Sequence, residues 1–358
     1  MDNVTFSIAI PVHNGEKFLA ATIASAFNQK RRPDEILAVD DASTDQSSNI
    51  LQSPEWAGKV RYIFNQHSTG FADAWNRVVQ FARSDFVTIL HQDDLLEPEY
   101  LLHVERALLS FPHCQHIYCG YYYIDAAGNR IGESPAPHLL TPVIRSGKEY
   151  AHRYLEGVVR NRHIHRCPGV TTGRTLLLNK CSYRKEAGLI ADDDFFLRVG
   201  QFTDVVEISQ PLASFRVHRE SATGRLDSIS HQLAIDYIFQ TGYYRSQESL
   251  LDETDIGHIE DQAIRFIDAY LIESMVNNDR LGVSAAIRLQ NELDRVISVN
   301  SDKHRTFLAS VLWTVLRKNV PGAFAGKAYS TILRTLLRAK KTFRYTLADE
   351  KSREMSNL

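Results

Sequence analysis

Phe6-Ser7-Ile8-Ala9-Ile10-Pro11-Val12, continued by His13-Asn14-Gly15-Glu16-Lys17-Phe18-Leu19, is the most informative stretch of this chain. Its first seven residues are nearly all apolar without alternation, the pattern of a strand buried on both faces. Between Gly15 and Gln29 the apolar residues Phe18, Leu19, Ile23, Ala26 and Phe27 return at helical spacing. The same unit then recurs. Glu35-Ile36-Leu37-Ala38-Val39 reads as a strand running into Asp40-Asp41, with a helix start at Ser43-Thr44-Asp45. Val60 to Phe64 is a third strand and Gly70 to Ala82 a helix; Phe86 to Leu90 is a fourth strand leading into His91-Gln92-Asp93-Asp94. Four strand–helix units predict an α/β fold with a mostly parallel sheet covered by helices. Ligands of such sheets bind beyond the carboxyl ends of the strands. There the sequence places His13-Asn14, Asp40-Asp41, Asn65 and Asp93-Asp94.

Past residue 110 the pattern loosens. Ile117 to Ile124 is strand-like, and residues 132–146, with three prolines and little periodicity, read as a surface loop or lid. A helix opens at Asp192-Asp193-Asp194, and two strands follow, Val205 to Ile208 and Leu212 to Val217. From about 226 the chain turns helical. Residues 226–302 hold 14 acidic and 5 basic residues, whereas residues 303–344 hold 10 Lys or Arg and no acid. The expected division is therefore 1–225 and 226–358. The 358 residues carry 44% hydrophobic and 23% charged side chains and a formal net charge of −2. These values fit a globular chain and argue against disorder and against nucleic acid as a partner. Cys114, Cys119, Cys167 and Cys181 form no C-x-x-C pair, so a reducing compartment is expected. The amino terminus has no basic signal region, and the longest strongly apolar run near the carboxyl end, Phe307 to Leu316, is half the ~20 residues a membrane span needs.

The acids carry the functional signal. Asp40-Asp41, Asp93-Asp94 and Asp192-Asp193-Asp194 would repel one another if gathered, unless a cation joined them. Mg2+ or Mn2+ held by one or two carboxylates completes its shell with phosphate oxygens and water. No G-x-G-x-x-G follows the first strand, which speaks against a dinucleotide-dependent oxidoreductase.

These segments resemble, in order and spacing over roughly residues 5–221, the family 2 inverting glycosyltransferases of the GT-A fold. The matching stretches are Ser7 to Leu19, Val39 to Asp45, Gly70 to Asn76, Leu90 to Asp94, Asp192 to Arg198 and Phe215 to Ser221. The resemblance implies a GT-A domain with a mostly parallel central sheet and a helical carboxyl-terminal region. It implies that Pro11, Val12 and His13 line a nucleotide base, and that Asp41, with Asp40 beside it, accepts a hydrogen bond from the imide nitrogen of a uracil or thymine. Asn76 and Arg216 are further nucleotide-side residues. Asp93 and Asp94 hold the metal and ribose, with His91 standing where the family places its first strand-end acid, and Arg216 and His218 face the pyrophosphate or metal. Asp192 matches the catalytic base, and Ala191 occupies the position of the family's preceding Glu. The implied activity is transfer of a sugar from a nucleotide-diphosphate donor, a UDP-sugar above all, to a hydroxyl of a glycan or lipid-linked glycan in cell-surface polysaccharide or lipopolysaccharide synthesis, with Mn2+ or Mg2+. Ala191 and His91 motivate the alternative of a nucleotide-sugar-binding protein without catalysis. His163-Ile164-His165-Arg166-Cys167 reads as an acceptor wall or a plain loop.

Apolar spacing over residues 259–276 predicts a helix packed on the first domain. In the basic tail, apolar and cationic residues alternate in two segments, Phe307 to Lys318 and Ile332 to Arg344. This is either an interfacial helix on anionic lipid or a helix packed on the domain or on a second subunit. The expected location is the cytoplasm, with peripheral contact at the inner face of the membrane as one of the two readings of the tail.

Overall fold

The computed structural model describes residues 4–135, 141–160, 162–218, 221, 229–247, 249–277 and 279–297. The chain divides into two compact units, Met1–Gly224 with Ser249–Leu251, and Arg225–Glu248 with Asp252–Leu358. The first unit opens with β1 (Phe6–Val12), α1 (Leu19–Phe27), β2 (Glu35–Asp41), α2 (Ser47–Leu51), β3 (Arg61–Asn65), α3 (Phe71–Phe81) and β4 (Phe86–Ile89). It continues with β5 (Leu95–Leu96), α4 (Tyr100–Ser110), β6 (His116–Ile124), β7 (Arg130–Glu133), β8 (Val143–Arg145) and α5 (Gly147–Val159). It ends with β9 (Val170–Gly173), α6 (Arg174–Asn179), α7 (Ala191–Val199) and β10 (Val205–Arg216), with short 3-10 turns at Cys167–Gly169 and Lys185–Ile190.

One sheet runs through this unit in the order β3-β2-β1-β4-β9-β6-β10-β5, with β7 added on β6 and β8 on β10. β3, β2, β1 and β4 are mutually parallel, and β6 and β10 pair in parallel with each other. β9 is antiparallel to both β4 and β6 and joins the two halves. β1 lies inside the sheet between β2 and β4, and Phe6, Ile8, Ala9 and Ile10 have no exposed surface, as its unbroken apolar run requires. Pro11 falls beyond the last β1–β4 pair, Ala9 with Ile89, where its missing N–H removes no bond to β4. The main core gathers Phe6, Ile8, Leu19, Ile23, Tyr100 and Ile117.

Two elements depart from the sequence reading. Residues 205–216 form one strand rather than two. Its register against β6 shifts on either side of Pro211, so an irregularity absorbs the proline while pairing continues. Part of the expected 132–146 loop is strand, because Val143–Arg145 pairs with Val205–Glu207. A close approach then brings α5 to α7: a Cβ on Gly147 would overlap the Gly200 carbonyl, so only glycine fits.

The second unit contains α8 (Ile229–Ser246), α9 (Glu253–Val276) and α10 (Arg280–Val296). Ile259, Ala263, Ile267 and Leu271 of α9 are buried, and within this unit α9 packs on α8 and α10. No described helix is long and apolar enough to cross a membrane. The basic amphipathic tail lies outside the described residues.

Candidate active site

The carboxyl ends of β1, β2 and β4 turn sharply, and two non-glycine residues there take positive φ, Asn14 (52°) and Ala42 (62°). Such backbone is costly and is held by its surroundings. Here the side chains supply the hold: Asn14 Oδ1 accepts from the Thr44 N–H (2.8 Å) and Asp40 Oδ1 from the Ser43 N–H (2.8 Å). His13 donates from Nδ1 to the Asp41 carbonyl (2.7 Å). Its backbone is gripped by Gln92, whose Oε1 accepts from the His13 N–H (2.8 Å) and whose Nε2 donates to the His13 carbonyl (2.9 Å). Gln92 thereby ties the end of β1 to the end of β4.

Asp41 is almost fully buried, and both oxygens are occupied by the loop after β3. Ser68 Oγ (2.8 Å) and the Thr69 N–H (2.7 Å) donate to Oδ2; Asn65 Nδ2 (3.2 Å) and Thr69 Oγ1 (3.2 Å) donate to Oδ1. Burial would raise this carboxyl, but the hydrogen bonds from Thr69, Ser68 and Asn65 outweigh it and hold it below the ordinary value. Asp40 is fully buried and also accepts from the Tyr62 hydroxyl (3.2 Å).

After β4, His91 stacks on Trp75 (5.3 Å between centroids, 15°). Burial pushes its imidazole down, against the charge of Asp93, so it stays neutral and able to ligate a metal. Asp93 Oδ2 lies 2.9 Å from His218 Nε2. Burial would raise the Asp93 carboxyl, but the His218 hydrogen bond and the nearby imidazoles hold it down. Asp94 turns inward: Oδ1 accepts from the Arg216 N–H (2.8 Å), while Oδ2 is buried without a partner. Burial and the neighbouring charge of Asp93 raise Asp94 well above the ordinary range. The Arg216 guanidinium is largely consumed by backbone. It donates to the carbonyls of Asp93 (2.7 Å) and Asp125 (2.9 Å) and lies over Phe18 (4.6 Å).

The third set of acids opens α7. Asp192 Oδ1 accepts from the Asp193 N–H (2.9 Å), and Asp193 accepts from the Tyr154 hydroxyl (2.5 Å). Tyr154 is fixed from behind by His165 (4.9 Å) and Phe196 (5.3 Å), within a buried aromatic group. Asp194 is fully buried between Arg184 and Arg198 and belongs to the fold. Burial and the charge of Asp193 push Asp192 up to about 7, with Arg166 opposing. Arg166 and Cys167 join the sets: the Arg166 charge acts on Asp94, Asp192 and Asp193, and Asp94 and Asp192 both push the Cys167 thiol up. Asp41, His13, Gln92, Asp93 and His218 thus form one chain of contacts, and the charges of Asp94, Arg166 and Asp192 act on the buried Cys167 thiol. Asn76 stands apart. Its amide bridges both backbone groups of Tyr183 (2.7 and 2.9 Å), and it lines a cavity of about 330 Å³ together with residues of α3 and α6. Val12 is buried at the end of β1 beside Pro11.

Among the described residues no three His, Cys, Asp or Glu side chains form a ready-made metal site. The donor set nevertheless fits a hard divalent cation. Asp93 keeps a quarter of its side chain exposed, and the buried Asp94 Oδ2, His91 Nε2 and His218 Nδ1 have no hydrogen-bond partner. Mg2+ and Mn2+ need only one or two protein ligands when phosphate completes the shell. Tyr154 carries no signal as a site residue in the sequence; Gln92 is marked only by its place at a strand end, and Arg166 only as part of the His163–Cys167 segment.

Comparison with known proteins adds the family. The model of glycosyl transferase family 2 matches residues 7–174. This segment belongs to glycosyl transferase family 2. The chain is 35% identical over 130 residues to the chondroitin synthase of Escherichia coli, covering 35% of this chain and 18% of that protein. It is 31% identical over 170 residues to the O-antigen biosynthesis protein RfbC of Myxococcus xanthus, covering 47% of this chain and 13% of that protein. It is 30% identical over 132 residues to an uncharacterized glycosyltransferase of Haemophilus influenzae. The chain spans about half the length of that relative and about a fifth of the chondroitin synthase. Among solved structures, S. aureus TarS 1–349 in complex with UDP-GlcNAc aligns with a TM-score of 0.56 at 15% identity, over 95% of this chain and 92% of that one. That likeness shows a GT-A fold, and the family match covers residues 7–174, a little under half of the chain.

Proposed function

We propose that this chain is an inverting glycosyltransferase that moves a sugar from a UDP-sugar to a hydroxyl of a glycan or lipid-linked glycan in cell-surface polysaccharide synthesis. What supports this reading most is that the buried Asp94 and Asp192 both raise the Cys167 thiol and that the Arg166 charge acts on both carboxyls, with Asp93 one residue before Asp94. The named activities of the chondroitin synthase and RfbC support the polysaccharide setting, and the UDP-GlcNAc bound by TarS supports the donor class.

Each residue then has a task. His13, Pro11 and Val12 frame the base at the end of β1, and Gln92 fixes His13 in place. Asp41 shapes the loop at 65–69 from beneath. Asp192 takes the proton of the acceptor hydroxyl as its oxygen attacks the anomeric carbon opposite the diphosphate, so a single displacement inverts that centre. A carboxyl near 7 is matched to this task at neutral pH, and a positioned base contributes about 10²–10⁴-fold. Asp193, held by Tyr154, stands beside the base where the family has its Glu one place earlier, at Ala191. Asp93, with His218, His91 and Asp94 around it, would hold Mn2+ or Mg2+, and such an ion supplies Lewis-acid neutralisation of the diphosphate. The setting that follows is the cytoplasm, with peripheral contact at the membrane's inner face through the basic tail.

The test is UDP release from a panel of UDP-sugars with and without Mn2+, run beside thermal stabilisation by the same ligands. Release that needs Mn2+ supports the proposal. Stabilisation without release under every condition supports the binding-only alternative that Ala191 and His91 raised.

A further inference from the structure

The cation expected to face the pyrophosphate, Arg216, spends its Nε and one terminal nitrogen on backbone carbonyls of Asp93, Asp125 and Ala126 and is almost fully buried. A second guanidinium, that of Arg166, packs on Phe215, the residue before Arg216, and bonds to no backbone carbonyl among the described residues. Arg166 forms no ion pair among the described residues, and its Nε is buried with no hydrogen-bond partner. It lies over the Phe215 ring (5.1 Å) and beside the Tyr121 hydroxyl, which bonds to Tyr123 (2.9 Å). Its charge acts on the carboxyls of Asp94, Asp192 and Asp193 alike. Arg166 shares a side-chain hydrogen bond with the Tyr121 hydroxyl, while its buried Nε has no partner; an arginine held in an aromatic seat with a donor still open is suited to fork onto phosphate oxygens.

We propose that Arg166 is the guanidinium that binds the donor's diphosphate and takes up the charge that develops as it leaves. The assignment rests on the glycosyltransferase reading and names the residue that completes the leaving-group side of that site. In the displacement the bond between the anomeric carbon and the β-phosphate oxygen breaks, and its electron pair stays on that oxygen. The new bond joins the anomeric carbon to the acceptor oxygen, whose proton passes to Asp192. Arg166 remains protonated throughout and stabilises the added negative charge electrostatically. Arg216 instead holds the strand-end turn together.

The experiment compares the wild-type chain with R166Q and R166K, using calorimetry with UDP, GDP and dTDP, each beside its nucleoside. R166Q is expected to weaken the preferred diphosphate by about 10- to 100-fold while leaving its nucleoside unchanged. R166K is expected to recover part of the loss, because it restores the charge but not the fork. Unchanged nucleoside binding and a cooperative thermal transition show that the variant is folded. Turnover at saturating donor should fall with the diphosphate affinity. Equal diphosphate affinity in wild type and R166Q overturns the assignment alone; the guanidinium then serves only to balance the acids, or faces an acidic acceptor. A wild-type chain that binds none of these diphosphates overturns the glycosyltransferase reading, and Arg166's role with it.

Discussion

Asp192 gives the sharpest expectation, because its environment sets both a protonation state and a pH window. Burial and the charge of Asp193 raise its carboxyl from 3.8 to about 7. At pH 6 only about a tenth of the enzyme then carries the ionised base, and at pH 8 about nine-tenths does, so kcat/KM should climb about tenfold over that interval, with unit slope reached only below about pH 6. The sign for stability is the reverse of the usual salt-bridged aspartate. Between 3.8 and 7 the native state holds a proton that the unfolded state has released, so this group makes the fold less stable as pH rises through the window. Asp192→Asn removes both effects. Turnover should fall by about 10²–10⁴-fold and the acid limb should vanish, while nucleotide binding persists. Urea unfolding of the variant at pH 8 should show stability at least equal to wild type, since no charge is then buried at that position. The assay is UDP release at saturating metal across pH 5 to 9. An acid limb centred near 4, or full turnover in Asp192→Asn, refutes the reasoning about this residue.

Other expectations follow from single contacts. Tyr154→Phe removes the hydroxyl that serves Asp193 and should cost about 1.5–3 kcal/mol of stability by chemical denaturation, since a bond to a charged group is lost. Gln92→Ala deletes both bonds to the His13 backbone and should weaken UDP binding about fivefold by calorimetry, with little change in melting temperature. Gly147→Ala should destabilise the fold by about 1–3 kcal/mol or more, because α5 must move away from the Gly200 carbonyl. Chelation should abolish UDP release and added Mn2+ restore it, whereas Asp93→Asn should raise the Mn2+ concentration needed for half-maximal rate.

Much of the first unit was readable because burial writes itself into composition. β1 to β4 are short apolar runs separated by helices of amphipathic spacing, and their order alone predicts parallel pairing. Reading Gln210-Pro211 as a strand break was reasonable from local chemistry; an irregular register against β6 lets the strand continue through it. Val143–Arg145 has no strong local pattern and becomes strand only because β10 offers it an edge.

The acids show the same division. Their types and places at strand ends were legible, yet which oxygens are free was not. Asp41 and Asp94 satisfy the sequence pattern as well as Asp93 does. In the fold Asp41 has four donors on it, and Asp94 accepts from the backbone of Arg216, whereas Asp93 keeps an exposed side.

The sequence by itself determined the sheet's parallel half, the set of acids at its carboxyl edge and the kinship these imply, because hydrophobic period and turn chemistry are local properties. The folded packing alone sets which guanidinium is bound to backbone carbonyls, which carboxyl is raised to about 7, and that Gln92 and Tyr154 hold their neighbours in place. Those facts depend on contacts between residues 39 to 123 positions apart and on the removal of water around them, and neither leaves a periodic trace in the chain.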